Sequence, residues 1–599
     1  MEKCGRTVHT GERDGDRQRL TSSYLARYAR IQRSRPNGPA VKGFDQVMTA
    51  QSVKGNALSA LIRKWRLAVP VLVANLGALL VGLTVFVAAA AAEDNLAVNA
   101  ARESIQAEEL QQVIEVLADD TFEGREAGSR GGHAAGSYLV EQLKKLPVAP
   151  AGTTEGYYQV FGGQRRNILV LLEGNDAELK DEVIVVGAHY DHVGYGNRTN
   201  SYGPTGYIHN GADDNASGTA LLLETIEAFA EGELDTRRSL LFIFFDGEEM
   251  GLLGSRHWVR NPTIPLARVR MMVNIDMVGR LRNQTLHIHG TRTAPGLRQL
   301  VSRQNRDENL KLDFTWKNRA NSDHYPFYER DIPFVMLHSG LHDDYHRPSD
   351  DVEKINIEGV EQSSRLLFSL VHDLATRDEL PPFRSASRGE SEWQRRQQAQ
   401  PIAPATPRLG VRWAAEEDDA ASEGLTLTEV MAGSAADRAG LRRGDRVVEF
   451  AGDKVAGGDT FRGQVLWAKN PVAVKVVRSR PAEGEEETTE TLSLQLDGTP
   501  VRLGISFRLD DATPGEAIVN RVTSGSPADR GGLELRDRIY QVAGKSFDGR
   551  DSFLALVNSE PGPIEMLIER QGHLRKVTLD VPPLRRDADV TTPSAADDE

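Results

Sequence analysis

Two kinds of hydrophobic pattern alternate between residues 104 and 376. Apolar residues recur at helical spacing over Glu103–Leu117, His133–Leu146 and Ala216–Ala230, where Leu222, Leu223, Ile226 and Phe229 share a face. Between them lie unbroken apolar runs of strand length: Ile168–Leu172, Val183–Ala188, Leu240–Phe245, Val269–Ile275 and Pro333–Leu337. Runs this short and this apolar suit strands covered on both faces, and their alternation with helices suits an α/β layer. The pattern predicts an α/β domain over residues 104–376, with a mostly parallel central sheet flanked by helices.

The periodicity then stops. Residues 379–406 are rich in Pro, Gln, Arg and Ser and read as a linker. Beyond it the chain repeats itself. Arg408-Leu409-Gly410-Val411 matches Arg502-Leu503-Gly504-Ile505, and Gly433–Val447 matches Gly525–Ile539, at offsets of 94 and 92 residues. One small β-rich domain is therefore expected twice, at 407–496 and 499–583. Residues 585–599 form a polar tail that reads as disordered.

Charge changes the reading of the N-terminus. Residues 1–66 hold 14 Lys/Arg against 5 Asp/Glu, whereas the whole chain carries −14. This basic leader reads as disordered, and Met48 is a candidate true start. It runs into Leu67–Ala92, an uncharged apolar stretch longer than the ~20 residues that span a bilayer. Basic residues before an apolar run place the N-terminus in the cytoplasm. The closing Ala90-Ala91-Ala92 resembles a signal-peptidase site. A cleaved signal peptide and an uncleaved transmembrane anchor both fit, and both put the rest of the chain outside the cytoplasm: periplasmic, secreted or membrane-anchored. Of 599 residues, 39% are hydrophobic and 26% charged, which excludes a wholly disordered chain or a polytopic membrane protein. The acidic balance argues against nucleic acid as a partner. A single cysteine, Cys4, rules out an intrachain disulfide and a thiolate zinc site.

The candidate chemistry sits where strands end. Val183–Ala188 runs into His189-Tyr190-Asp191, Leu240–Phe245 into Asp246-Gly247-Glu248-Glu249, and Val269–Ile275 into Asp276. Sites in open α/β sheets form at the carboxyl ends of strands, so these ends deliver a histidine, paired glutamates and an aspartate to one rim. Gly211–Gly218, with Asp213 and Asp214, precedes an apolar helix, and His346 follows the Pro333–Leu337 strand. Imidazole with several carboxylates suits zinc. Adjacent glutamates at a strand end are costly unless a cation neutralises one and the other moves a proton.

These motifs in this order (HYD, GADDNASG, DGEEMGLLGS, NIDMVG, SDH and YHRPSDD) resemble the two-zinc aminopeptidases, the zinc-exopeptidase-like family that includes glutamate carboxypeptidase and the transferrin-receptor ectodomain. Leu117–Arg130 resembles the family's N-terminal signature. The resemblance implies two zinc ions per chain holding a hydroxide between them. His189 and Asp276 bind one zinc, Glu249 and His346 the other, and Asp214 bridges both. Glu248 is the general base, Asp191 accepts the second ring N–H of His189, and Tyr345 stabilises the oxyanion. A cis peptide at Asp214–Asn215 is also implied. His192, Asp213, His338, His342, Asp343 and Asp344 flank these positions and read as rim or as support behind the ligands, rather than as ligands. His324 reads as either support for the site or locally bonded, and His287 and His289 as structural.

The repeats resemble PDZ domains of the bacterial protease type. That likeness implies that Leu409-Gly410-Val411 and Leu503-Gly504-Ile505 receive the C-termini of peptide segments as added strands. The combined expectation is an exported zinc aminopeptidase acting on peptides, tied to the membrane through its N-terminal segment if that segment is not cleaved. The alternatives are a carboxypeptidase or glutaminyl-cyclase-like enzyme on the same fold, or a catalytically inert binding protein.

Overall fold

The computed structural model describes residues 95–581, apart from 154, 233, 403–406, 415–422 and 479–486. The basic leader, the apolar segment 67–92 and the tail 585–599 lie outside the described residues. Nine strands form the first sheet: β1 (Ala149–Pro150), β2 (Tyr158–Phe161), β3 (Arg165–Leu172), β4 (Val183–His189), β5 (Ser239–Phe245), β6 (Val269–Ile275), β7 (Thr285–His289), β8 (Lys311–Phe314) and β9 (Phe334–His338). Their order is β1-β3-β5-β4-β6-β9-β7-β8, with β2 paired to β3. Helices α1 (Ala107–Leu117), α2 (Arg130–Leu143), α3 (Gly218–Glu231), α4 (Leu253–Arg260), α5 (Leu297–Gln304) and α6 (Ile357–Thr376) belong to the same domain.

Every residue of β4 and β5 is buried, because the sheet is covered on both faces. Strand alternation divides these runs between two cores. Ile184, Val186, Phe242 and Phe244 face Leu222 and Phe229 of α3 and Phe368 of α6. Val185, Leu241, Ile243 and Phe245 face Trp258 of α4 and Phe327. At about 1.5–3 kcal/mol for each large apolar side chain, these layers supply the main driving force for this domain.

The sheet is less parallel than its apolar runs imply. Parallel pairing holds across β5-β4-β6-β9. β3 joins β5 antiparallel, and β7 joins β9 antiparallel with β8 parallel outside it. Outlying β2 and β8 alternate buried with less buried positions, so they leave no unbroken apolar run to read. The parallel core sets the site. His189 is opposite Phe245, and Gly187 is opposite Asn274, so these strands finish at one rim. Helix α2 starts three residues before its periodicity, where the Ser129 hydroxyl caps it by accepting from Gly132 N at 3.1 Å.

The first repeat holds β10 (Val411–Trp413), β11 (Leu425–Val430), β12 (Arg446–Phe450), β13 (Asp453–Lys454), β14 (Val472–Arg478) and β15 (Thr488–Leu494), and the second β16 (Ile505–Arg508), β17 (Ala517–Val522), β18 (Arg538–Val542), β19 (Ile564–Arg570) and β20 (His573–Leu579). They share strand order, β10-β11-β12-β14-β15 with β13 paired to β12, and β16-β17-β18-β19-β20. Among the described residues each repeat has one long helix, Gly458–Trp467 or Arg550–Ser559. Equivalent side chains do equivalent work. Arg408 donates to the carbonyls of Val465 and Leu466, and Arg502 to those of Val557 and Glu560. Arg478 pairs with Asp445, and Arg570 with Asp537. Gly410 and Gly504 have φ of 78° and 84°. A Cβ on either would lie within 2.3 Å of a serine Cβ, so both the backbone and the space require glycine.

The second repeat is fastened to the α/β domain. Arg292 grips Glu390 in a two-pronged pair, bonds Asp510, and lies 3.5 Å from the centroid of the Trp316 ring. Arg298 pairs with the fully buried Glu569 at 2.8 and 3.2 Å. Leu312 of edge strand β8 donates its N–H to Gln571 O at 2.9 Å. The segment read as a linker is also pinned. The Glu392 carboxylate accepts from Trp316 N and the Thr315 hydroxyl, and Arg395 pairs with Asp313. Removing Arg298 leaves the Glu569 charge buried beside only the more distant Arg538, at 3.9 Å. Arg298→Ala should cost about 3 kcal/mol in chemical denaturation. An unchanged midpoint would mean that this contact does not hold the repeat in place.

Candidate metal centre

The rim formed by β4, β5 and β6 collects the expected residues. His189, the last residue of β4, is 1% exposed. Its Nε2 lies 3.4 Å from Asp276 Oδ1 and 3.5 Å from Asp214 Oδ1. Asp214 Oδ2 points the other way and lies 3.1 Å from His346 Nε2. His346 Nε2 is also 3.0 Å from Glu249 Oε2. One carboxylate thus presents one oxygen to each of two imidazoles. Glu248 offers an atom within 4.8 Å of atoms on both His189 and Asp276. Tyr345 stacks on the His346 ring at 3.9 Å.

The loops are held by backbone bonding. Asp350 Oδ2 accepts from Asp213 N and Asp214 N at 3.1 and 3.0 Å. Asn215 accepts from Met277 N and donates to Ile275 O, tying the Asp214 segment to the end of β6. The Asp214–Asn215 bond is cis.

Asp191 differs from its expected part. Its carboxylate is 3.8 Å from His189 Nδ1, and the closer acceptor for that nitrogen is its own backbone O at 3.1 Å. The carbonyl performs the service expected of the side chain, leaving Nε2 free to ligate. The carboxylate instead accepts from Glu248 N at 3.0 Å and Glu249 N at 3.4 Å, drawn by two adjacent N–H groups.

Of the two parts open to His192, rim or support behind the ligands, the structure shows the second: its ring is fully buried, with Nδ1 2.8 Å from Glu249 Oε1. It groups with Asp214 and Glu249, each offering an atom within 4.8 Å of the others. The signal was a second histidine three residues after His189, at the end of the same strand. Asp323 is likewise buried near Glu248, and burial pushes its carboxyl up to about 7. Asp213 and His342 pair at 3.1 Å. His287 pairs with Asp313, and His324 stacks on Phe334 at 4.3 Å.

Electrostatics separates the two glutamates. Burial pushes the Glu248 carboxyl well above the usual range, with the charge of Glu249 adding to the effect. Burial acts on Glu249 in the same direction, but the hydrogen bond with His192 and the close approach of the His346 ring outweigh it and hold its carboxyl well below that range. For His346 burial disfavours the cation, yet contacts with Asp214 and Glu249 push its pKa up to about 11. This cavity calls for positive charge. The His346 Nε2 atom is buried and makes no well-aligned hydrogen bond although two carboxylate oxygens lie close. That geometry and the nitrogen and oxygen donor set fit zinc.

Comparison with known proteins agrees with the layout. Residues 167–371 match the model of peptidase family M28, and residues 402–458 and 518–570 match PDZ domain models. The chain carries a peptidase family M28 domain. Aminopeptidase YwaD of Bacillus subtilis (strain 168) is 29% identical over 210 residues, covering 33% of this chain and 43% of that protein. Leupeptin-inactivating enzyme 1 of Streptomyces exfoliatus is 28% identical over 232 residues, covering 39% of this chain and 48% of its own length. The matched part therefore spans about half of these relatives. Among solved structures, the LapA aminopeptidase of Legionella pneumophila aligns with a TM-score of 0.40 and 21% identity, covering 47% of this chain and 74% of that one. A zinc aminopeptidase from Bacillus subtilis aligns with a TM-score of 0.37 and 18% identity, covering 46% and 97%.

Metal binding should register as stability. The metal-free protein should gain about 2.7 kcal/mol at free zinc a hundredfold above the dissociation constant, and a chelator should reverse the gain. Calorimetric scans with and without zinc test this, and identical scans would remove zinc from the site.

Proposed function

We propose that the chain is an exported, zinc-dependent aminopeptidase that takes two zinc ions and removes N-terminal residues from peptides. The observation that carries this reading is the split glutamate pair. Glu248 is pushed towards holding a proton, and Glu249 is kept ionised between His192 and His346. Two neighbours driven apart in this way suit a proton carrier and a metal ligand. His189, Asp214 and Asp276 would hold one ion, and Asp214, Glu249 and His346 the other, with His192 orienting Glu249. Bound zinc supplies a Lewis acid for the scissile carbonyl and lowers the pKa of water.

The chain's own residues do the rest. Glu248 takes a proton from the attacking water and returns it to the leaving amine. Asp191 fixes the turn carrying Glu248 by accepting its backbone N–H. Burial, with Asp214 and Glu249 nearby, pushes the Tyr345 phenol far up, so it keeps its proton and can donate to a developing oxyanion. The surplus of carboxylates around the rim suits the cationic amino terminus of a peptide. In the repeats, β10 and β16 stand at sheet edges, which supports strand addition by peptide C-termini at the two Leu-Gly-Val/Ile loops. Among the described residues no helix is long and apolar enough to cross a membrane. The export reading rests on the leader and Leu67–Ala92.

Glu248→Gln should keep both zinc ions and lose turnover by ~10²–10⁴-fold on aminoacyl-nitroanilides. Glu249→Gln should lose or weaken one zinc and regain activity at high zinc. Zinc loss in the first variant but not the second would exchange their roles. In the wild type, one zinc per chain with cyclisation of glutaminyl peptides would replace the reading with a cyclase. Cleavage of N-blocked peptides at the C-terminus would make it a carboxypeptidase, and zinc binding without any turnover an inert binding protein.

Residues 48–100, fused to a reporter that works only outside the cytoplasm, should give signal. An expressed but silent fusion would end the export reading.

A further inference from the structure

Arg125 lies within Leu117–Arg130, the segment that resembles the family's N-terminal signature, and no role has so far fallen to it. It is 1% exposed, and its guanidinium bonds only backbone carbonyls. Nε donates to Tyr190 O at 3.0 Å, one Nη to Leu117 O at 2.6 Å and Asn210 O at 2.5 Å, and the other Nη to Gly211 O at 2.9 Å. Tyr190 sits between His189 and Asp191, and Asn210-Gly211 precede Asp213-Asp214 with only Ala212 between. The fork therefore ties together the two loops that carry the first and the shared candidate ligands, and anchors both to the end of α1.

The backbone around it is built for that task. Glu123, Gly124 and Arg125 have φ of 51°, 69° and 48°. Left-handed conformations of non-glycine residues persist where the surroundings over-determine them. Here Gly194 N bonds Gly124 O at 3.0 Å, His192 N bonds Arg125 O at 3.2 Å, and a Cβ on Gly124 would meet Gly194 O at 2.5 Å. The turn is locked against the same His189–Gly194 loop that the side chain grips.

We propose that Arg125 is the positioning residue that sets the spacing between His189 and Asp214, and so determines zinc affinity rather than merely fold stability. This rests on the reading of the rim as a zinc site. A planar fork with several donors in fixed directions can reach four carbonyls from three chain segments, whereas lysine, a compact point charge, cannot. Groups that orient metal ligands typically influence affinity 10–100-fold when lost.

The comparison is between Arg125→Lys, which keeps the buried charge, and Arg238→Lys as a control. Arg238 is as deeply buried and also bonds carbonyls, those of Leu374, Arg377 and Asp378, away from the rim. Zinc affinity is measured by competition with a chromophoric chelator, ligand geometry by the absorption spectrum of the cobalt(II) form, and stability by denaturation. Arg125→Lys should bind zinc at least tenfold more weakly and shift the cobalt spectrum. Arg238→Lys should lose stability with affinity and spectrum unchanged. Arg125→Ala should recover affinity when guanidinium is added. Folding of an Arg125 variant only at raised zinc also supports the assignment, because binding energy then replaces the lost staple. Wild-type affinity and spectrum in Arg125→Lys would overturn it, as would Arg125 variants that stay unfolded at every zinc concentration. Absence of zinc binding by the wild type would instead bring down the reading of the site itself.

Discussion

Buried negative charge is the constraint around which this domain is arranged. Asp191, Asp214, Glu248, Glu249 and Asp276 lie within a few residues of the ends of three adjacent strands or of the loops between them, and most are nearly inaccessible to water. Like charges brought together without water repel strongly, so the arrangement is stable only if protons, imidazolium or metal cations compensate. The response is visible residue by residue. Glu248 is driven towards its neutral form, and His346 towards its charged one. A zinc pair would replace both expedients with one source of positive charge, releasing His346 to ligate as a neutral imidazole and Glu248 to accept a proton.

Such a cluster needs a rigid frame, and the parallel register provides it. Strands β4, β5 and β6 are buried on both faces and finish together, so the positions of His189, Glu248 and Asp276 are set by the packing of Phe242, Phe244 and Phe245 several residues away. The loops are then fixed by groups that are not ligands. Asp191 holds the Glu248–Glu249 turn through its N–H groups, Asp350 holds Asp213 and Asp214, and Asn215 bridges to the end of β6. A ligand set assembled from separate strand ends has no local stiffness of its own. The hydrogen bonds behind it determine how nearly its geometry is preformed before any ion arrives.

The strand ends were legible in the sequence because burial on both faces leaves an unbroken apolar run, and the first polar residue after such a run is conspicuous. His189, Asp276 and the glutamate pair could be read for that reason. The edge strands β2 and β8 were not, since their alternation is short and weak. The destination of the Asp191 carboxylate was hidden too. Which of several nearby donors a carboxylate chooses is settled by fractions of an ångström that spacing does not encode. His192 shares its tetrapeptide with His189, but a second histidine carries no sign of which way its ring turns. Arg125 contacts carbonyls 65, 85 and 86 residues away, and backbone acceptors have no sequence signature at all.

The same limit applies to the repeats. Their duplication could be read directly, and paired arginines do the same work in both copies. The attachment of the second copy could not, because it depends on ion pairs such as Arg292–Asp510 and Arg298–Glu569, which join residues 218 and 271 positions apart. That attachment alters what the second copy can be. The buried charge of Glu569 and the cap it helps place on edge strand β8 make the second repeat part of the α/β domain's surface, closing a sheet edge that would otherwise offer unpaired backbone groups. A module held this way cannot swing freely to search for partners. Any peptide added at β16 is therefore delivered at a fixed position relative to the metal centre, and a freely swinging recognition arm is not a role open to this second copy.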